Sequence, residues 1–202
     1  PSKFAAQVNV AFFGDKITNG LELDQTSTAA APSSAVDIPA GEVVMIKTDS
    51  IADLPKGDHA MIVSSLNNQG LVVEHVLSQI TGGSSFTAIT NGIPGGLLAS
   101  KWRLPSGLAN GARNALTILN TTSLDGTFTV SAVGPGGELP LPELKDVPLG
   151  AASVVSLDVP VGATFGEVII TSTVEIAVQR RTTRGHGLVG FGIVGALPVR
   201  QK

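Results

Sequence analysis

Between 114 and 181 the chain alternates apolar and polar residues in short bursts, each cut off by Gly, Pro or Asp. Leu116 and Ile118 flank Thr117. Phe128, Val130 and Ala132 alternate with Thr127, Thr129 and Ser131. Val155, Leu157 and Val159 follow, then Val168 and Ile170, then Val174, Ile176 and Val178. Successive side chains of a strand point to opposite faces, so each burst predicts a strand with one buried face. Residues 139–148 hold Pro140, Pro142 and Pro148, which cannot donate to a ladder and confine this stretch to a sheet edge.

The first half of the chain carries the same signal more weakly. Val8, Val10 and Phe12 alternate over 7–13, and Gly14 and Asp15 supply a turn. Residues 24–36 are small and polar and predict a mobile loop. Pro39 and Gly41 then open an expected strand at 42–46. Further strands are expected at 59–65 and 71–77, joined by a hairpin loop at 67–70, and at 85–89. Residues 97–105, with Trp102, are a strand or a linker, and the turn-rich 106–113 mark the best domain boundary.

Five segments recur in order. Residues 8–14 match 128–134, 38–41 match 147–150, 61–65 match 168–172, 72–74 match 177–179, and 86–94 match 191–198 loosely. The extra residues of the first copy fall in the 24–36 loop, where insertion is tolerated. Nothing in the first copy corresponds to 114–120, so it is expected to lack a strand beside 7–13. Residues 97–104, another chain or upstream sequence is expected to cover that gap. The expected fold is all-β: two tandem immunoglobulin-like antiparallel β-sandwich domains, the first lacking its first strand. They span 1–96 and 114–202, with 97–113 as linker or shared strand.

Composition narrows the function classes. A hydrophobic fraction of 43% with only 14% charged residues excludes a disordered chain. No apolar run reaches the length of about 18 residues that a membrane-spanning helix needs. Neither half has the positive excess of a nucleic-acid binder. There is no cysteine, which removes disulfides and thiolate metal sites. The chain begins at Pro1 and reads as a processed or excised piece of a longer protein.

The second copy combines Trp102, Leu104, Pro105 and Gly107 with Leu116, Ile118 and Asn120, then Phe128 and Val130. Val147 and Gly150, Val155 and Leu157, and Ile176 to Val178 with Arg180 complete the pattern. It resembles a β-sandwich repeat of secreted and cell-surface bacterial proteins, including an actinobacterial family of unknown function. The likeness covers about 100–199 and departs at Thr121, where that family often has Pro. It implies an extracytoplasmic location and a structural or binding role, with no catalytic residues.

Candidate chemistry is sparse. Gly190 to Gly195 matches the G-x-G-x-x-G dinucleotide fingerprint, but no helix can follow before Pro198, so a Gly-rich final strand is the better reading. His59, His75 and His186 show no metal-ligand spacing, and neither a metal nor another cofactor is expected. Asn120, Thr121 and Thr122 form a formal glycosylation acceptor. Arg180, Arg181, Arg184 and His186 form the one concentrated positive patch, expected on a hairpin turn at 180–186. Three guanidinium groups on a turn suit a phosphate, sulfate or carboxylate polymer.

The reading is a non-catalytic structural or interaction module, not an enzyme. Its expected partners are another protein or a cell-envelope polymer. The alternative is a binding module for an anionic or polysaccharide envelope ligand through the 180–186 hairpin. A deep pocket lined by carboxylates or histidines would revive an enzyme reading.

Overall fold

A computed structural model of the chain describes residues 3–14, 21–22, 36–51, 54, 56–57, 59–81, 84–104, 112–159, 167–184 and 191–199. Within these, only the backbone is described at 21–22, 79–81, 84, 86, 112–113, 184 and 191–195. The protein is mostly β, as expected, and the described residues form no helix of seven residues or more. Among the described residues no helix is long and apolar enough to cross a membrane. Two compact units part between Val73 and Glu74. The expected boundary lay at 97–113; residues 74–104 instead belong with the second unit.

Unit 1 contains β1 (Ala6–Gly14), β2 (Leu21–Glu22), β3 (Val36–Ile38) and β4 (His59–Ser65). All three neighbours run antiparallel to β1. β4 lines one side along Val8–Gly14, while β3 and β2 share the other. The expectation of an unpaired edge at 7–13 therefore fails, because β1 is the central strand. Its alternation places Ala6, Val8, Val10 and Phe12 in one core with Val36. Each such burial contributes about 1.5–3 kcal/mol, and a one-residue slip would turn the whole set towards water. The expected 24–36 loop lies outside the described residues except for Val36, which opens β3.

Unit 2 contains β5 (Glu74–Thr81), β6 (Ser84–Asn91), β7 (Ala99–Leu104), β8 (Ala112–Asn120), β9 (Gly126–Gly134) and β10 (Gly137–Pro140). It continues with β11 (Val147–Leu149), β12 (Val154–Val159), β13 (Glu167–Arg184), β14 (Phe191–Gly195) and β15 (Leu197–Pro198). β5 pairs with β6, not with β4, so 67–70 is not a hairpin loop. The longest strand, β13, joins two sets of neighbours. Its first part runs between β9 and β7, and its second between β8 and β14.

The register of β13 shifts between Thr171 and Ile176. Hydroxyls serve the backbone there: Ser172 Oγ donates to Thr127 O at 3.0 Å, and Thr127 N–H donates to Thr173 Oγ1 at 2.9 Å. Gly126 lies against this shift, and an added Cβ would come within 2.7 Å of Val174 Cγ2. Trp102, Leu104, Phe128, Val130 and Ile170 from one set of strands share a single core with Leu116, Ile118, Ile176 and Val178 from the other. Residues 97–104 are thus no linker: β7 pairs with β13 and β15, and Trp102 is fully buried with its Nε1 donating to Ala99 O at 2.8 Å.

Strand order and register recur between the units. Val8, Val10 and Phe12 oppose Ser65, Val63 and Met61; Phe128, Val130 and Ala132 oppose Ser172, Ile170 and Val168. On the other side Val8 faces Val36, and Phe128 faces Val147. The hairpin partner recurs too, with Leu21 opposite Phe12 and Leu139 opposite Ala132. Segments 8–14 and 61–65 thus occupy the same register as the segments they match in sequence. The match of 38–41 to 147–150 needs a two-residue correction, because Val36, not Ile38, stands where Val147 stands. The following turns agree with that correction: Gly41 has φ 76° in one and Ala152 has φ 45° in the other.

Candidate functional site

The arginines expected on a turn lie within a strand. β13 continues to Arg184, paired with β8 on one side and β14 on the other. Arg180 and Arg181 are adjacent, so a two-residue period sends them to opposite faces. Arg180 is buried on the core side beyond Val178, and Arg181 is half-buried. Burial lowers the Arg180 pKa from its ordinary value, because withdrawal from water disfavours the cation. Arg184 is placed here by its backbone pairing with Ala112 alone. His186 lies outside the described residues. The strand therefore does not present Arg180 and Arg181 side by side to one ligand.

The core of unit 2 turns polar at both ends of β8. At one end Asn114 is buried and opposes Thr182, whose Oγ1 donates to Asn114 Oδ1 at 3.0 Å. Among the described residues Asn114 Nδ2 finds no acceptor. Leaving such a buried donor unmet costs about 1–3 kcal/mol. Arg180 opposes Leu116, one inward position away. This end of the core thus holds an amide and a guanidinium, both withdrawn from water.

At the other end Asn120 is fully buried and fully used. Its Nδ2 donates to Leu124 O and Gly150 O, both at 2.8 Å. Its Oδ1 accepts from Thr122 N–H at 2.9 Å and Thr122 Oγ1 at 2.8 Å. One side chain thus ties the turn after β8 to the turn before β12. The formal glycosylation acceptor is excluded by this placement, since the nitrogen that would carry a sugar is buried and already bonded.

The remaining candidates are spread apart. His59 lies at the start of β4 and His75 in β5; partial burial lowers the His75 pKa from 6.5. Residues 191–195 form β14 antiparallel to β13, as a Gly-rich strand rather than a nucleotide loop. Among the described residues no group of three or more His, Cys, Asp or Glu is placed to hold a metal. Lys101 and Arg103 alternate with buried Trp102 and Leu104 on β7. Lys101 pairs with Glu138 at 3.2 Å, and Arg103 grips both carboxylate oxygens of Glu167, which raises the Arg103 pKa.

Asn114 and Thr182 were not singled out in the sequence. Their only signal is an asparagine at each end of the apolar 115–119 run, and composition alone does not say which polar residues turn inward. The class that emerges is an all-β protein of two compact units, with polar groups closing the ends of an aliphatic core. Compared with protein-family models, with curated proteins and with solved structures, the chain matches none.

Proposed function

We propose that this chain is a non-catalytic structural or interaction module of a secreted or cell-surface protein, built as two tandem β-sandwich repeats of immunoglobulin-like type. The observation that carries the reading is the repeated scaffold. β2, β3 and β4 flank β1 in the same order and register as β10, β11 and β13 flank β9. Such serial units suit spacing, adhesion and assembly, because each buries its own aliphatic core. The extracytoplasmic location comes from the sequence resemblance at 100–199.

Pulling the chain from its two ends in a single-molecule experiment tests the modular part. Two separate unfolding steps, with lengths in proportion to the two units, are expected. One indivisible step would overturn it. Labelling of intact source cells with a membrane-impermeant amine reagent tests the location, and protection until the cells are lysed would overturn that.

A further inference from the structure

Residues 42–47 carry a strand pattern yet form no strand. Val43 and Met45 keep 93% and 75% of their surface exposed, while Ile46 packs against the unit 1 core. Lys47 has extended backbone angles. Among the described residues neither Val44 nor Met45 donates its backbone N–H to another carbonyl. An extended segment with unmet backbone groups and bare aliphatic side chains is a template for another strand.

Its counterpart in unit 2 has a partner that this segment lacks among the described residues. In the turn before it, Glu42 N–H donates to Pro39 O at 3.1 Å, and Gly41 takes the positive φ. In the matching turn Ser153 Oγ donates to Gly150 O at 2.6 Å, and Ala152 takes the positive φ. Counting on from these turns, 43–48 correspond to Val154–Val159, which is β12. The described partner of β12 is β8, with Val154 opposite Leu119, Val155 opposite Ile118 and Leu157 opposite Leu116. Asn120 completes the attachment, its N–H donating to Ser153 O at 2.9 Å and its Nδ2 to Gly150 O. Glu42 and Pro39 hold those two positions in unit 1.

We propose that residues 42–47 are an acceptor site for β-strand addition, taking an extended strand of β8 chemistry from a second polypeptide. That chemistry is aliphatic residues at alternate positions, closing on an asparagine. The inference rests on the repeated scaffold of the proposed function and adds a site and a partner class to it. β8 itself is not the occupant, because it is held between β12 and β13. The incoming strand runs antiparallel to 43–47, up to the 3-10 turn that begins at Thr48. It sets its aliphatic residues opposite Val44 and Ile46 and its asparagine against the carbonyls of Pro39 and Glu42. Main-chain bonds supply affinity, and the alternate side chains supply selectivity.

A labelled synthetic peptide copying 112–120, with terminal lysines for solubility, is the probe. It is added to the full chain and followed by fluorescence anisotropy and amide exchange. The expected result is saturable binding that protects the amides of 43–47. Binding should weaken at least tenfold when the peptide backbone is N-methylated at alternate positions, or when its asparagine becomes alanine. The double variant Val44→Pro/Met45→Pro should lose binding while its β1 and β4 amides keep their protection, which reports intact folding. Absent binding, protection elsewhere than 43–47, or equal binding by the proline variant would each overturn the proposal. Self-association of the chain through 42–47 that the peptide does not disturb would assign the site to a second copy and overturn it as well. If two-step unfolding under force persists while the peptide fails to bind, strand addition is lost and the modular reading stands.

Discussion

Residues 43–48 and Val154–Val159 begin from the same turn and carry similar aliphatic alternation, yet only the second is a strand. The difference is the neighbour. β12 lies along β8 over six residue pairs, whereas no described strand lies along 43–48. Extended backbone gains its stability from the ladder beside it, so one sequence pattern yields a strand in one unit and an exposed segment in the other. The two units also close the same register differently. Asn67 serves the start of β1, accepting from Gln7 N–H at 3.1 Å and donating to Ala5 O at 3.0 Å. In unit 2 the matching N–H, on Thr127, is served by Thr173 instead.

Removing the neighbour is the largest way to break this contrast. Ile118→Ala deletes a fully buried side chain from β8 and should cost about 2–5 kcal/mol in unit 2. Amide exchange should then show 154–159 losing protection while β1 and β4 keep theirs. Unchanged protection at 154–159 would mean that β12 does not depend on β8.

A smaller effect is expected where β13 shifts register. Gly126→Ala pushes a methyl group into Val174 and Thr173 and should cost about 1–3 kcal/mol in a denaturant titration. The matching strand of unit 1 starts at Ala6, which already carries the methyl group. A neutral outcome would show that the register shift of β13 can move to make room.

The paired turns give effects of opposite sign. Ala152 holds a left-handed conformation that costs a side-chain-bearing residue roughly 1–2 kcal/mol, while Gly leaves more freedom in the unfolded chain. Ala152→Gly should therefore stabilise unit 2 by about 0.5–1 kcal/mol, and Gly41→Ala should destabilise unit 1 by about 1 kcal/mol. Chemical denaturation of the two variants checks both signs.

The gentlest test uses pH. His75 follows Glu74, which pairs with Asn91 at the base of the β5–β6 hairpin. Arg180 follows Gln179, which pairs with Gly195 in the β13–β14 hairpin. Desolvation lowers the pKa of both groups, but only histidine titrates near neutrality. Its folded pKa lies below the unfolded 6.5, so the unfolded chain binds more protons as the pH falls below that value. Its favourable contribution is fully present above 6.5 and is lost as the pH falls through the folded pKa. Thermal melts between about pH 7.5 and 5 should show unfolding becoming easier, and His75→Gln should flatten that slope. An unchanged slope would assign it to other groups.

Much of the strand inventory was legible because alternation is a local property. Val8, Val10 and Phe12, or Phe128, Val130 and Ala132, declare one buried face without any knowledge of the neighbour. The polar ends of the unit 2 core were not legible. Asn114 and Asn120 look like ordinary strand-end asparagines, and their burial follows from facing Thr182 and the 150–153 turn across the chain. The arginine patch misled for a related reason. Runs of charge suggest solvated turns, but β13 carries Arg180 inward because it continues the same face as Ile176 and Val178.

By itself the sequence determined the all-β class, the faces of most strands and the match between 8–14 and 128–134. These depend on side-chain period and turn residues, which act over a few positions. The tertiary structure decided which edges are filled, where the compact units part and that β7 is a core strand, since each depends on pairing between residues far apart in the chain. Whether an apolar segment such as 43–48 becomes a strand lies in the same category, because a ladder needs a second backbone and the segment's own residues cannot supply it.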